Sequence, residues 1–232
     1  MRILACSALI LTLALPAAAA QKDTETIDRT VAIGTDGTLD LKNFSGDVRI
    51  VGTGGGEVVI RAVRRATRER LDRIKLDIQS SGSTVTIQAN HQPEGRRDDR
   101  DNVVETEFDI QVPSGTKLKL YSFSGKLDVR GVTGEIDAET FSGGIEIDVA
   151  SAPQLPQLKA ETFSGDIEAR VPAAASGQVR FDSFSGSVRS DLPISMTRTR
   201  GGRNTNIDGQ IGSGTGPTLR FKTFSGDLRI QK

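Results

Sequence analysis

Apolar and polar residues alternate along most of the chain, and this two-residue period predicts β-strands with one buried face. The alternation recurs in six similar segments that share the tripeptide Phe-Ser-Gly. Successive tripeptides begin 79, 18, 22, 21 and 40 residues apart, close to multiples of about 20, and such a period is typical of a solenoid. The segments are TLDLKNFSGDVRI, KLKLYSFSGKLDV, EIDAETFSGGIEI, QLKAETFSGDIEA, QVRFDSFSGSVRS and TLRFKTFSGDLRI.

The position of the apolar residues shifts by one within each repeat. In the second copy, Leu118 and Leu120 are even-numbered, whereas Phe123, Leu127 and Val129 are odd-numbered. A flat strand keeps one face, so we predict a corner or bulge, with the glycine supplying the backbone freedom. We expect the phenylalanines to form a buried ladder inside these corners. The predicted corner residues are Phe44, Gly46, Phe123, Gly125, Phe141, Gly143, Phe163, Gly165, Phe184, Gly186, Phe224 and Gly226.

Stacking of such coils predicts an all-β fold, namely a right-handed parallel β-solenoid (β-helix) of about 20-residue coils. Equivalent residues of successive coils would then lie about 4.8 Å apart. A polar ladder beside the phenylalanines would bond backbone groups of the corners. Its members would be Ser122, Thr140, Thr162, Ser183 and Thr223.

The regular coils are predicted over residues 116–232. In the long gap before the last tripeptide, Asn206–Ile211 predicts a degenerate coil, with Ile207 in place of phenylalanine and Gly209 in the corner position. Because the full-pattern coil Leu219–Ile230 is followed by two residues only, we expect an open strand edge there, prone to pairing with another chain.

Residues 21–115 are predicted to form a less regular β region of the same domain. Within it, Ala66–Ile74 spaces its apolar residues at helical intervals and predicts one short helix. Residues 91–102 contain no apolar side chain and predict a mobile loop. The glycine-rich stretches 52–56 and 212–216 lack the Lys-Ser/Thr of a phosphate-binding loop and predict turns.

The first twenty residues have the features of a signal peptide. A short positive start precedes the uncharged apolar run Ile3–Leu15, and Ala18-x-Ala20 is the small-residue pattern of a cleavage site. The run is too short to span a bilayer. We therefore predict residues 1–20 to be removed, with export to the periplasm or cell surface and no membrane span afterwards. Cys6 lies near the start of the run, where lipidation is not expected, so the mature chain would have no cysteine.

The composition argues against most kinds of chemistry. The chain has one His and one Cys, too few for a metal site built from these ligands, and His91 in the charged loop is expected to be solvated. Thirty Lys and Arg balance thirty Asp and Glu, which argues against nucleic-acid binding. One Tyr and no Trp leave few rings on which sugars could stack. We expect no enzyme activity and no cofactor.

One row of outward-facing carboxylates is a candidate binding face. Asp128, Glu146 and Glu168 occupy equivalent positions of successive coils, so they would stack along the solenoid. Such a row could bind Ca²⁺, but the favoured interpretation is a solvated ladder offset by nearby Lys and Arg, because a Ca²⁺ site also needs carbonyl ligands and a closing loop. The other outer face alternates in charge, which would stabilise a ladder and could also bind an anionic or polar polymer.

The repeated coils and the strand before them resemble a bacterial family of candidate adhesins of unknown function. Members of this family are envelope β-solenoids with recurring Ser-Gly-Asp/Gly/Lys-Ile/Val/Leu coils. The resemblance rests on Asp109–Pro113, on the coils from Leu118 to Ile230, and on Gly226–Ile230 near the end. It covers most of the mature chain and is weak before Asp109. The resemblance implies adhesion and brings no catalytic residues.

The sequence thus predicts a non-enzymatic, exported envelope protein that acts as an adhesin-like binding or structural solenoid. Its partner would be an envelope protein or polymer. The alternative is a polysaccharide-acting β-helix lyase or hydrolase, which would need two acids in a groove. The isolated protein is expected to be mostly monomeric, with weak end-to-end association.

Overall fold

The computed structural model describes residues 22–34, 36–91, 103–201 and 204–232. The predictions for the signal peptide and for most of the charged loop, residues 92–102, fall outside these ranges, and so does the side chain of His91. Within them, the chain folds into two large β-sheets and one short helix, α1, at Arg68–Arg73. No helix in the described ranges is long and apolar enough to cross a membrane.

The first sheet has nine strands. In spatial order they are β1 (Asp23–Ala32), β4 (Glu57–Ala66), β7 (Glu105–Pro113), β3 (Val48–Thr53), β9 (Leu127–Arg130), β11 (Ile145–Asp148), β13 (Ile167–Arg170), β19 (Leu228–Gln231) and β15 (Val188–Ser190). Neighbours from β7 to β15 are parallel, while β1 and β4 add antiparallel strands at one side.

The second sheet has ten strands. In spatial order they are β16 (Ile194–Gly201), β17 (Asn204–Ile211), β14 (Gly177–Ser185), β18 (Thr218–Ser225), β12 (Leu158–Ser164), β10 (Ile136–Ser142), β8 (Lys117–Ser124), β2 (Thr38–Ser45), β6 (Thr84–His91) and β5 (Lys75–Ser81). Neighbours from β14 to β6 are parallel, and the strands outside them are antiparallel.

Each Phe-Ser-Gly corner joins one strand of the second sheet to one strand of the first. Alternate side chains of both sheets point between them and form one continuous apolar core. In the repeated coils most strands contribute two or three inward residues, such as Leu118 and Leu120 of β8 and Leu127 and Val129 of β9. The predicted β-solenoid of stacked parallel coils is therefore present.

The coils do not follow one another in sequence order. The C-terminal coil, β18 and β19, lies between the coil of β12 and β13 and the coil of β14 and β15. The prediction of an open edge at Leu219–Ile230 is therefore wrong, because strands pair with this coil on both sides. The reason is that the chain leaves one rung vacant after Arg170 and returns to fill it with its last strands.

The predicted degenerate coil at Asn206–Ile211 is also wrong. This segment belongs to β17, which forms an antiparallel hairpin with β16 and pairs with β14. From Ile207 to Ile211 burial alternates without the shift that a corner requires. The local pattern Ile-Asp-Gly resembles Phe-Ser-Gly in spacing only, and Gly209 is an inward-facing residue of a continuous strand.

The N-terminal region agrees with its predicted elements. The short helix lies inside the predicted segment, and its Leu71 packs with Ala66, Ile74 and Val104 in a small second core. Arg64, a buried residue of β4, donates hydrogen bonds to the carboxylate of Glu25 and to the carbonyl oxygen of Ile74. Both glycine-rich stretches lie between strands as expected, apart from Gly52 and Thr53, which belong to β3.

Candidate binding surface

The corner phenylalanines lie outside the solenoid, so the predicted buried ladder is wrong. In the second copy, the inward face runs through Leu118, Leu120 and Ser122, and the side chain of Phe123 points to solvent. The chain changes face after Phe123, at Gly125, which has a positive φ, and the next strand begins with Leu127 pointing inward. All six corners share this arrangement, with exposed fractions of 38–46% for the phenylalanine side chains.

The six exposed rings form a single stack, which we call the phenylalanine ladder. Its members in spatial order are Phe44, Phe123, Phe141, Phe163, Phe224 and Phe184. Neighbouring ring centroids lie 4.8–5.0 Å apart, and the ring planes differ by 15° at one step and by 5° or less at the others. This spacing is the distance between hydrogen-bonded β-strands, so the backbone ladder sets it. Five steps give an apolar strip about 24 Å long.

The corner glycines allow this close stacking of coils. Gly165 has a φ of +154°, and a Cβ atom there would lie 2.1 Å from the carbonyl oxygen of Gly143 in the next coil. Gly125, Gly143 and Gly226 show the same approach, at 2.0–2.2 Å. Any side chain at these positions would push neighbouring coils apart. The glycine of the tripeptide is therefore a requirement of the backbone.

Beneath the ladder, the residue before each phenylalanine points inward and is buried. Thr162 and Thr223 donate hydrogen bonds to the carbonyl oxygens of Gly143 and Gly165, at 3.0 and 3.4 Å. Asn43, which the predicted polar ladder omitted, donates to the carbonyl oxygens of Gly46 and Thr106 at 2.8 and 3.0 Å. The complete inner row is Asn43, Ser122, Thr140, Thr162, Thr223 and Ser183. Asn43, Thr162 and Thr223 therefore bond the corner backbone. The buried hydroxyl groups of Ser122, Thr140 and Ser183 have no hydrogen-bond partner among the described residues.

A groove of about 550 Å³ runs beside the ladder along the second sheet. Its charged residues include Glu139, Glu161, Asp182 and Lys222, which lie in one cross-strand row. The Lys159 ammonium contacts the carboxylate of Glu139 and lies 3.7 Å from that of Glu161. Three carboxylates and two ammonium groups therefore lie beside the rings and leave a small net negative charge.

Lys159 lies in the neighbouring cross-strand row, opposite Asp137. Partial burial lowers its pKa, but hydrogen bonds to Glu139 and Asp137 outweigh this effect and leave the pKa raised above its ordinary value. Lys159 is therefore charged at neutral pH, and its two groove carboxylates have a cationic partner there.

The predicted acidic row is present on the first sheet, away from the ladder. Asp128, Glu146 and Glu168 lie in register on β9, β11 and β13. The guanidinium of Arg130 contacts Asp128 at 2.8 Å and Glu146 at 3.4 Å, and that of Arg170 contacts Glu168 at 3.2 Å. In the described part of the chain, no group of three His, Cys, Asp or Glu side chains could hold a metal ion. The carboxylates form ion pairs within the sheet.

Comparison with known proteins gives both a fold and a family. The structure is similar to a candidate cell-adhesion protein from Clostridium sporogenes, with a TM-score of 0.65 and 12% identity over 90% of this chain and 99% of that one. A candidate adhesin from Bacteroides fragilis is 10% identical over 89% and 97% of the two chains, with a TM-score of 0.36. The first likeness shows the fold alone, because the identity is low.

No curated protein shows significant sequence similarity to the chain. Residues 102–231 match the Toastrack DUF4097 family. This match spans more than half of the chain and includes five of the six corners, and the protein therefore belongs to the Toastrack DUF4097 family.

Proposed function

We propose that this protein is a non-enzymatic, adhesin-like binding protein of the bacterial envelope, and that it binds through the phenylalanine ladder. The observation that carries the proposal is the location of its exposed apolar side chains. Of the eight large hydrophobic side chains exposed in the described residues, six form the ladder and a seventh, Tyr121, lies beside Phe123 on β8. Only Val59 lies elsewhere.

The size of this surface favours a binding role. A phenylalanine side chain has about 150–250 Å² of surface, so six rings that are about two-fifths exposed present on the order of 500 Å² of apolar area. A patch of this size is about the largest that a typical soluble monomer exposes, and such patches are often functional. The rings add little to the core, so burial inside the fold does not explain why phenylalanine recurs at these positions.

An envelope location is supported by the signal-peptide pattern of residues 1–20 and by the adhesin names of structurally similar proteins. The proposed partner is another envelope protein or polymer. Right-handed winding of the coils remains part of the proposal, because nearly all parallel crossover connections have this hand.

The enzyme alternative has less support. A glycosidase needs a carboxyl group that is free to exchange a proton next to the substrate. In the groove beside the ladder, Glu139 and Glu161 share the ammonium of Lys159, and on the first sheet the acids pair with arginines. Such ion pairs serve to hold a surface together, not to transfer protons.

The test compares retention of envelope components by immobilised residues 21–232 with retention by the double variant Phe141→Thr/Phe163→Thr. Threonine keeps the strand preference of these positions while it removes the rings. Val59→Thr is the matched control, because Val59 is 41% exposed on the other sheet. We expect the double variant to lose retention and the control to keep it. Equal retention by all three proteins would refute binding through the ladder.

A further inference from the structure

The way in which the rings stack restricts what the ladder can bind. Each inner ring is covered on both faces by neighbours 4.8–5.0 Å away, so only ring edges meet solvent. The end rings, Phe44 and Phe184, are each 41% exposed, within the 38–46% range of the inner ones, so their outer faces are not open either. The surface is therefore a strip of hydrocarbon edges without free aromatic faces.

Several ligand classes need a free ring face. Cations are held over the face of an aromatic ring, within about 6 Å of its centroid. Nucleobases stack on aromatic faces in the same way. Neither arrangement is available along this ladder, and the small net negative charge of the groove offers no concentrated attraction for a charged polymer. A dry apolar surface is the chemistry that fits.

The repeat distance identifies the matching surface. An extended peptide places side chains on one face about 6.6 Å apart, which falls out of step with rings spaced at 4.8–5.0 Å. A row of side chains on successive strands of another sheet has the same 4.8 Å repeat and stays in step over the full strip. Paired sheets with such rows form dry, interdigitated interfaces, and stacked aromatic rings strengthen them.

On these grounds, which rest on the proposed binding role of the ladder, we propose that the occupant is the phenylalanine ladder of a second copy of this chain. The two strips face each other around a twofold axis, so that six ring edges of each copy interlock. Covering about 500 Å² on each chain buries about 1,000 Å² in total, at the lower limit for a specific interface. The dimer is therefore expected to be weak, with a dissociation constant in the micromolar range.

Sedimentation velocity of residues 21–232 over a wide concentration range is the first test. We expect a monomer–dimer equilibrium that Phe141→Thr/Phe163→Thr weakens by at least about tenfold, since central apolar contacts dominate an interface of this size. Val59→Thr, the control on the other sheet, should leave the equilibrium unchanged. A chain that stays monomeric at several hundred micromolar would overturn the proposal.

A second measurement keeps nearly all of the ladder. Residues 21–232 contain no cysteine, so the single variant Phe163→Cys introduces a unique thiol at a central rung. Around a twofold axis, this thiol lies within about one rung of its own copy whether the ladders run parallel or antiparallel. Facing sheets pack about 10 Å apart, farther than a disulfide spans, so the probe is a bis-maleimide with a spacer of about 10 Å. We expect it to link Phe163→Cys rapidly into a covalent dimer, whereas Thr30→Cys on the edge strand β1 should remain monomeric. Equal cross-linking of the two variants would overturn the proposal, even if the double threonine variant fails to fold.

The outcomes also separate this inference from the proposed function. Suppose that the chain remains monomeric, yet its retention of envelope components depends on Phe141 and Phe163. The self-association is then refuted, and binding through the ladder stands. Flotation of a monomeric chain with phosphatidylcholine vesicles, lost in the double variant, would likewise replace the second copy by a lipid surface. If the double variant keeps both self-association and retention of envelope components, both proposals are refuted.

Discussion

Replacement of Phe163 by alanine distinguishes a surface ladder from a core ladder, and Phe181 provides the internal comparison. The two rings have different environments on neighbouring parts of the same sheet. Phe163 is 46% exposed in the ladder, whereas Phe181 on β14 is fully buried between the sheets. Both substitutions remove the same atoms, so the difference in the free energy of unfolding reports location alone.

The magnitudes follow from burial. About half of the Phe163 side chain is covered, roughly 80–130 Å², which at about 25 cal/mol per Å² gives an upper limit of ~2–3 kcal/mol. Alanine retains its Cβ and a surface gap refills with water, so we expect Phe163→Ala to cost about 1–2 kcal/mol. Phe181→Ala leaves a cavity in the core and should cost about 3–5 kcal/mol.

Equilibrium urea unfolding of the two variants and the parent chain is the assay. A shift of the midpoint at constant slope gives each change in the free energy of unfolding, and a constant slope shows that the native fold is retained. If Phe163→Ala costs as much as Phe181→Ala, the rings of the ladder contribute to the core and the binding argument fails. If Phe181→Ala is the milder of the two, the inward face has been assigned to the wrong residues.

Three further predictions concern the corners and the order of the coils. Gly165→Ala should strongly destabilise the protein, because the new Cβ would meet a carbonyl oxygen of the neighbouring coil. Gly54→Ala, which has open space around it, should change the urea midpoint little, and equal shifts for the two variants would contradict the close approach. The backbone amide and hydroxyl of Ser187 lower the pKa of Asp227, so this carboxylate stabilises the fold above about pH 4, and the contribution disappears as the pH falls through the lower folded-state pKa. Asp227→Asn should therefore lower stability at pH 7 and not at pH 2, and a loss that persists at pH 2 in urea titrations would refute the charge effect. Deletion of residues 217–232 removes an interior rung, so the remaining chain should show no cooperative unfolding transition by circular dichroism. A shortened chain that still unfolds cooperatively would show that the last coil is dispensable.

The repeat itself could be predicted because it is written into local residue spacing. Two-residue alternation, a shift of the inward face and a glycine at each shift define strand, corner and strand without knowledge of any distant contact. The need for glycine followed from the same local geometry, and the structure shows the close carbonyl contacts behind it.

The direction of the phenylalanines was predicted wrongly, although the sequence contained the necessary signal. Continuing the alternation from Leu118 and Leu120 places Ser122 inward and Phe123 outward. The chemical preference for a buried ring and an exposed hydroxyl suggested the opposite. The strand alternation decides the matter, and in two coils the inward hydroxyl groups of Thr162 and Thr223 also donate hydrogen bonds to glycine carbonyl oxygens of neighbouring corners.

The sequence by itself determined the strands, the corners, the turns and the balance of charge, since each depends on residues close together in the chain. Only the tertiary structure decided that the last coil fills the rung between Phe163 and Phe184, and that a hairpin occupies the gap before it. All coils carry nearly the same inward and outward pattern, so local sequence does not distinguish one neighbour from another. The order of the coils is the one that pairs every strand and closes the core, and this is a property of the whole chain. That order also joins six separate rings into one continuous surface.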